Sequence, residues 1–348
     1  MKLFLYSDLH ISRTSSILPS SSDTRYTYRQ QMIINTGKYL ANIIDQEKPD
    51  MIINLGDTFD QHTITSYDVD VASEFFKCFR MFNIPHLVLV GNHEMVNQDF
   101  NAIKILGNIN NITVISEPCS VNTNVIIPNL YNVELAFLPY CDYRDVEELP
   151  KGKFLFSHQD IQGSIIRGNF AMPNGLTNEQ LKQYQLVFNG HIHKSSIVNN
   201  VVNVGSVTTH SFSDDENSVP QCYVFDTETL DLKTFKPTVC PLFRKFDIES
   251  SLDELKTYID NLDNNYKYLI HCVCPFEIKE DVKQYMEEEP KILNSRLNVK
   301  IAKTLEEEKV ETVNLQSNID ITQTFKEFLE STDLKLPKEY YSNILQEV

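Results

Sequence analysis

The sequence predicts an α/β fold: a larger domain of buried strands alternating with helices, a smaller α/β domain after it, and a helical tail. Three observations predict this. Short apolar runs recur along residues 1–200, and each ends in a polar cluster. Amphipathic stretches of helical period lie between the runs. Prolines then fall just past those stretches, where a helix must stop.

The runs are KLFLYSDLH (2–10), MIINLGD (51–57), HLVLVGNHE (86–94), KFLFSHQD (153–160) and QLVFNGHIH (185–193). Their length and flanking Gly or Pro read as strands, and their continuous apolarity as burial on both faces. The helices are expected at 29–47 and 69–83, with Pro49 and Pro85 beyond them. Past residue 195 the pattern turns to a strand at 198–206 and a hairpin at 220–237, with Asp226–Thr229 near its turn. Pro237 and Pro241 mark a boundary. Residues 242–303 then read strand (FRKFDIE), helix (SLDELKTYIDNL), strand (YKYLIHCVCPF), helix (EDVKQYMEEE), strand (LNVKIA). The expected division is therefore 1–237, 238–303, a charged linker at 304–318, and a helical segment at 319–348. Two short helices, 321–330 and about 338–347, carry that last segment. Ile321, Phe325, Phe328 and Leu329 share a face, which suits either packing on the chain itself or docking to a partner.

The net charge of −17, from 48 acidic and 31 basic residues, bears on partners. A protein that grips DNA by itself carries basic clusters, because counterion release drives that affinity. None stands out along the chain. Either the substrate is not nucleic acid or a partner supplies the grip. No run approaches the roughly 18–20 apolar residues that span a bilayer. The apolar start is also too short for a signal peptide, so a cytoplasmic protein without membrane contact is expected. Seven scattered cysteines without a CxxC pair read as reduced thiols, with Cys272 and Cys274 as small apolar residues on one strand face.

The polar clusters are Asp8-x-His10, Asp57, Asn92-His93, His158 and His191-x-His193, which hold five of the nine histidines. All fall at carboxyl ends of strands, the edge where α/β sheets assemble ligand sites. The x-spacing places both side chains of a pair on one side of a strand. Imidazole, carboxylate and amide oxygen without thiolate suit Mn, Fe or Zn. Two divalent cations about 3.5–4 Å apart stabilise the attacking and leaving oxygens of a phosphoryl displacement. Such a pair needs a bridging carboxylate, and Asp57 lies at the centre of the set. A bridging hydroxide would be the nucleophile.

The order DLH (8–10), GDTFD (56–60), GNHE (91–94), SH (157–158) and GHIH (190–193) resembles the calcineurin-like metallophosphoesterase superfamily over residues 1 to about 210. The resemblance implies two β-sheets sandwiched together and flanked by helices, with a smaller α/β capping domain and a C-terminal helical tail. GDTFD is similar to the SbcD branch, the nuclease subunit of the SbcCD / Mre–Rad double-strand-break complex; length and tail resemble the short T-even-type phage subunits. It implies that Asp8, His10, Asp57 and His193 hold one metal and Asp57, Asn92, His158 and His191 the other. His93 would face the scissile phosphate and serve catalysis. Manganese is the expected metal, with Mg, Fe or Zn as alternatives. The implied activity is double-strand exonuclease and single-strand endonuclease action on DNA in recombination, repair and replication. The implied partner is an SbcC/Rad-like coiled-coil ATPase, in a heterotetramer built on a homodimer. A stand-alone phosphodiesterase or phosphatase acting on small esters shares the site and is the alternative.

Some nucleases of the group carry a second phosphate-facing His where this chain has Asp60. His62 either replaces it or is an exposed loop residue, and Asp60 is expected to back a ligand or cap a helix. GSIIRGNFAMPNGLT (163–177) is expected to be a loop at the site edge, with Arg167 its only cation. His62 and Arg167 are thus the substrate-binding candidates. His210 reads as a loop residue, Gly91 as a tight turn, and Glu94 as a group behind the ligands.

Overall fold

The computed structural model describes residues 1–300 apart from 14–24, 98–99, 129–131, 143, 145, 147, 168–169 and 213–217. The expected linker (304–318) and tail helices lie outside the described residues.

Strand KLFLY shows how the sequence builds layers. Leu3 and Leu5 point one way and Phe4 and Tyr6 the other, and all four are buried. This is β1 (Lys2–Tyr6); β2 (Met51–Asn54), β3 (His86–Leu89) and β4 (Ile112–Ile115) follow it in parallel. A second sheet begins with β5 (Cys119–Asn122), β6 (Glu134–Leu138) and β7 (Phe154–Ser157). A small separate hairpin, β8 (Ile165–Arg167) and β9 (Phe170–Ala171), comes next. The second sheet resumes with β10 (Leu186–Asn189), β11 (Ser196–Val198) and β12 (Val201–Asn203), in the order β11-β12-β10-β7-β6-β5. Finally β13 (Cys222–Asp226) and β14 (Leu232–Phe235) return to the first sheet, giving β14-β13-β1-β2-β3-β4.

The two sheets face each other through Leu3, Leu5, Ile53 and Leu87 on one side and Phe137, Phe154, Phe156 and Phe188 on the other. Phe4, Tyr6, Ile52 and Val88 face outward under helices α1 (Tyr28–Glu47) and α2 (Ser66–Lys77). The outer face of the second sheet is covered by Ile161, Leu176, Leu181 and Tyr184. Each central strand is therefore apolar throughout because it is buried twice. α2 starts earlier than the periodicity predicts, since Thr65 and Asp68 form a capping box. It also stops earlier, at Lys77, with a separate 3₁₀ turn at Arg80–Phe82.

Two expectations change here. The strand expected at 198–206 is a tight hairpin, with Asn199 left-handed at its turn (φ 55°). The 163–177 loop contains the β8/β9 hairpin, whose base returns to Asp160 through Leu176 N–H (2.9 Å). Two further single-turn helices, α3 (Thr123–Ile126) and α4 (Asn178–Leu181), lie in connections.

Beyond residue 241, β15 (Leu242–Asp247), β16 (Tyr268–Pro275) and β17 (Ile292–Lys300) form a parallel sheet with its own core. Helices α5 (Leu252–Asp260) and α6 (Lys279–Glu288) contribute Leu255, Ile259, Val282 and Met286 to that core. Cys272 and Cys274 are buried in it beside Ile270. On the opposite face Phe212 packs edge-on to Phe243 (5.0 Å between ring centroids). Beside them Lys245, His271 and Arg296 stand in register across the three strands. Burial and these two cations lower the His271 pKa. This cationic row has no trace in the linear sequence, because residues 245, 271 and 296 meet only through strand pairing.

Candidate metal centre

The strands end at Tyr6, Asn54, Ser157 and Asn189, short of most of the expected ligands. The paired side chains do not converge by strand alternation, as the x-spacing suggested. They converge because the chain turns left-handed at Asp8 (φ 54°), His10 (φ 46°), Asp57 (φ 51°) and His191 (φ 67°). Each such turn costs a non-glycine residue about 1–2 kcal/mol and persists only where neighbours over-determine it. Backbone bonds from Asp8 N to Gly56 O (3.1 Å) and His10 N to Asp57 O (2.9 Å) lash the first two turns together.

Around Asp57 the donors fall into two groups. On one side the His10 and His193 Nε2 atoms face each other at 3.2 Å, and Asp8 Oδ1 lies 3.9 and 3.8 Å from them. On the other side Asn92 Oδ1 lies 3.1 Å from His158 Nε2 and 2.9 Å from His191 Nδ1. Asp57 Oδ2 reaches both groups, at 3.6 Å from His10 Nε2 and 3.2 Å from His158 Nε2. Second partners set the tautomers. His158 Nδ1 donates to the Leu55 carbonyl (2.6 Å), and His191 Nε2 pairs with Asp160 Oδ1 (2.9 Å). His10 Nδ1 pairs with Asp60 Oδ1 (3.2 Å). In all three rings the nitrogen left over points inward.

This donor set fits divalent cations. Both carboxylate oxygens of Asp8 are buried with no hydrogen-bond partner, which is costly unless a cation meets them. The inward His10 and His193 Nε2 atoms beside Asp8 are of the type that a divalent cation binds. Burial alone would raise the Asp57 pKa, but His158 and His10 hold it far below the carboxylate range. His158 answers in kind: burial lowers its pKa, yet Asp57 pushes it up to about 9.

GNHE divides into separate jobs. His93 donates its backbone N–H to Asp57 Oδ1 (3.0 Å) and its Nδ1–H to the Asp60 carbonyl (2.7 Å), leaving Nε2 on the exposed side. Asp60 thus orients both His10 and His93, and it does not cap α2. Glu94 is fully buried and accepts from Phe59 N (2.9 Å) and Gly91 N (2.7 Å), tying the two ligand turns. Burial, then the nearby Asp57, raises its pKa to about 8. Gly91 serves close approach and not a left-handed turn: a Cβ there would sit 2.1 Å from Asp57 Oδ1.

A profile described as Metallophos, calcineurin-like phosphoesterase, matches residues 1–195. The chain belongs to the calcineurin-like phosphoesterase family. It is 26% identical over 277 residues to "Exonuclease subunit 1" of Enterobacteria phage T4, covering 76% of this chain and 77% of that one. It is 27% identical over 217 residues to "Putative phosphoesterase 078R" of Invertebrate iridescent virus 3, covering 58% of this chain and 61% of that one. Among solved structures, the Pseudomonas putida nuclease MPE matches at 16% identity with a TM-score of 0.31, over 64% of this chain and 83% of that chain. The mixed α/β arrangement of two main sheets with helices is the metallophosphoesterase fold, and the family binds two divalent metals.

Within this phosphoesterase site the structure brings together Asp8, His10, Asp57, Asn92, His93, His158, His191 and His193. His62 is exposed, and the described clusters of ligand-type side chains do not include it. Arg167 is the last residue of β8 and pairs with Phe170. Two residues, Asp160 and Arg29, escaped sequence reasoning, and a third, His210, was read only as a loop residue. Asp160, in the sequence SHQD, orients His191. His210 lies against His10 and His193, with ring centroids 4.5 and 4.6 Å away. Arg29, from α1, reaches the carbonyls of Leu9 and His10. SHQD carried a local signal for Asp160, two residues after His158. Nothing local marks Arg29 or His210, since the two meet across 181 residues of chain.

Proposed function

We propose that this phosphoesterase is a two-metal DNA nuclease of the SbcD type, the catalytic subunit of a complex with a coiled-coil ATPase. The observation that carries the metal chemistry is the pair of donor groups meeting at Asp57, with the Asp8 carboxylate buried without a hydrogen-bond partner. Asp8, His10, Asp57 and His193 would hold one cation and Asp57, Asn92, His158 and His191 the other. Bound cations of this kind acidify water and polarise phosphoryl oxygens. The chain's own residues do the rest. Asp57 anchors both groups, and its Oδ1 holds the His93 backbone N–H. His93, its Nδ1–H tied to the Asp60 carbonyl, faces the phosphate through Nε2, where in its doubly protonated form it stabilises the developing charge or passes the Nε2 proton to the leaving oxygen.

Similarity over most of the chain to a phage protein named as an exonuclease subunit supports DNA over a small ester. The Lys245–His271–Arg296 row, on a sheet joined to the site segment through Phe212, supports the same choice. That sheet, within 238–303, would cap the DNA. Arg167 and His62 would contact substrate, and 319–348 would dock the ATPase, in a homodimer inside the cytoplasm. Manganese is the metal to test first.

The test is Mn²⁺-dependent cleavage of linear duplex DNA beside a p-nitrophenyl phosphodiester. Duplex cleavage abolished by chelation and restored by Mn²⁺ is expected. Hydrolysis of the small ester with DNA left intact would favour the stand-alone phosphodiesterase. Removing 319–348 should leave this basal cleavage and abolish association with the ATPase.

A further inference from the structure

Arg29 sits where neither its helix nor its surroundings favour a cation. It is the second residue of α1, at the end where unsatisfied backbone N–H groups already concentrate positive charge, and it is only 4% exposed. Its guanidinium is spent on the metal edge. Nη2 donates to the carbonyls of Leu9 (3.1 Å) and His10 (3.0 Å), and Nη1 donates to that of Thr209 (2.6 Å). One side chain thus joins the left-handed 8–10 turn to the 206–210 segment.

His210 extends the connection. Its Nδ1 lies 3.0 Å from Arg29 Nη2, and arginine only donates, so Nδ1 accepts. The ring proton is then on Nε2 and goes to Ser206 Oγ (2.6 Å), whose own hydroxyl faces the Asp8 carbonyl (2.8 Å). A His210 ring nitrogen lies within 4.8 Å of those of His10 and His193, but both His210 nitrogens are engaged, by Arg29 and Ser206, and the ring lies edge-on to His10 and tilted against His193. The ring is a wedge: it backs the two imidazoles whose Nε2 atoms face each other.

We propose that Arg29 and His210 are a positioning pair for the Asp8–His10–His193 group, setting that group's affinity for its cation without touching the Asn92–His158–His191 group. The inference rests on the two-cation reading above. Its logic is geometric. The carbonyls that Arg29 holds belong to the residues whose left-handed backbone aims Asp8 and His10, and the opposite group is held elsewhere, by Leu55 and Asp160.

The experiment is a Mn²⁺ titration of the metal-free protein, with free Mn²⁺ counted by its EPR signal. The natural protein should bind two ions. Arg29→Met and His210→Phe should each weaken one ion by about 10–100-fold, as loss of a partner behind a ligand does, and leave the other unchanged. Arg29→Lys, which keeps the charge but lacks the planar fork, should recover only part of the loss. His210→Phe keeps the ring volume, so it serves if Arg29→Met fails to fold. Two ions bound with natural affinity in the variants would overturn the pair. Equal weakening of both ions by His210→Phe, with a lowered Tm, would also overturn it by marking a merely structural role. A natural protein that binds fewer than two ions would instead defeat the two-cation reading itself.

Discussion

The two ligand groups are similar in chemistry and different in construction. The Asn92–His158–His191 group is held by one bond behind each imidazole. His158 donates to the carbonyl of Leu55, just past β2 of the opposite sheet, and His191 pairs with Asp160, two residues past His158. The Asp8–His10–His193 group has two left-handed residues in three and leans on more supports: Asp60, Arg29 and the 206–210 segment. A site built from strand ends can therefore be rigid in two ways. One hydrogen bond behind each imidazole serves the group with a single left-handed ligand, His191, and a buried cation is added where Asp8 and His10, two residues apart, are both held in that unfavourable region.

Breaking the carboxylate that both groups share should have the largest effect. Asp57→Ala is expected to abolish tight Mn²⁺ binding at both positions, by isothermal calorimetry, and cleavage with it. Retention of one tight ion would show that one group stands without its bridge. His93→Ala should come next: about 10²–10⁴-fold less cleavage in single-turnover assays, with two ions still bound. Loss of an ion there would make His93 a ligand. Asp160→Ala should weaken only the second group, costing about 10–100-fold in the affinity of one ion. If the other ion weakens instead, the two groups are wrongly divided. Glu94→Gln should be the mildest. Its amide nitrogen cannot accept from the Phe59 or Gly91 N–H, so one buried donor goes unpaired, and a lowered Tm worth about 1–3 kcal/mol is expected with metal binding intact.

Stability against pH offers a control outside the site. His86 is buried on Tyr6, and burial holds its pKa at about 3. The unfolded chain binds the proton first, near pH 6.5, so stability should fall as pH drops through that value and on toward pH 3. The slope is at most about 1.4 kcal/mol per pH unit. His86→Leu should flatten it in urea melts across that range.

Much of the fold was legible because burial on both faces writes itself as apolar runs, and the ligand types stood at their ends. β4, β5 and β6 were not singled out, since they carry no ligand-type cluster. The hairpin in 163–177 was hidden by its Gly and Asn content. Gly91 was legible as a turn residue but not as a close approach, since only the distance to Asp57 shows the latter. The x-spacing picked out residues that the structure brings together, but by another route: they lie beyond the strands, in turns whose left-handed backbone no residue pattern announced.

By itself the sequence determined which donors exist and in what order along the chain, because metal chemistry restricts residue types and strand burial restricts their placement. Tertiary structure alone decided the distances at which the donors meet around Asp57 and which ring nitrogen of His10, His158 and His191 points inward. It also brought Arg29 against His10 and aligned Lys245, His271 and Arg296 into one row. Those are distances between segments far apart in the chain, and the packing of two sheets and a helix sets them.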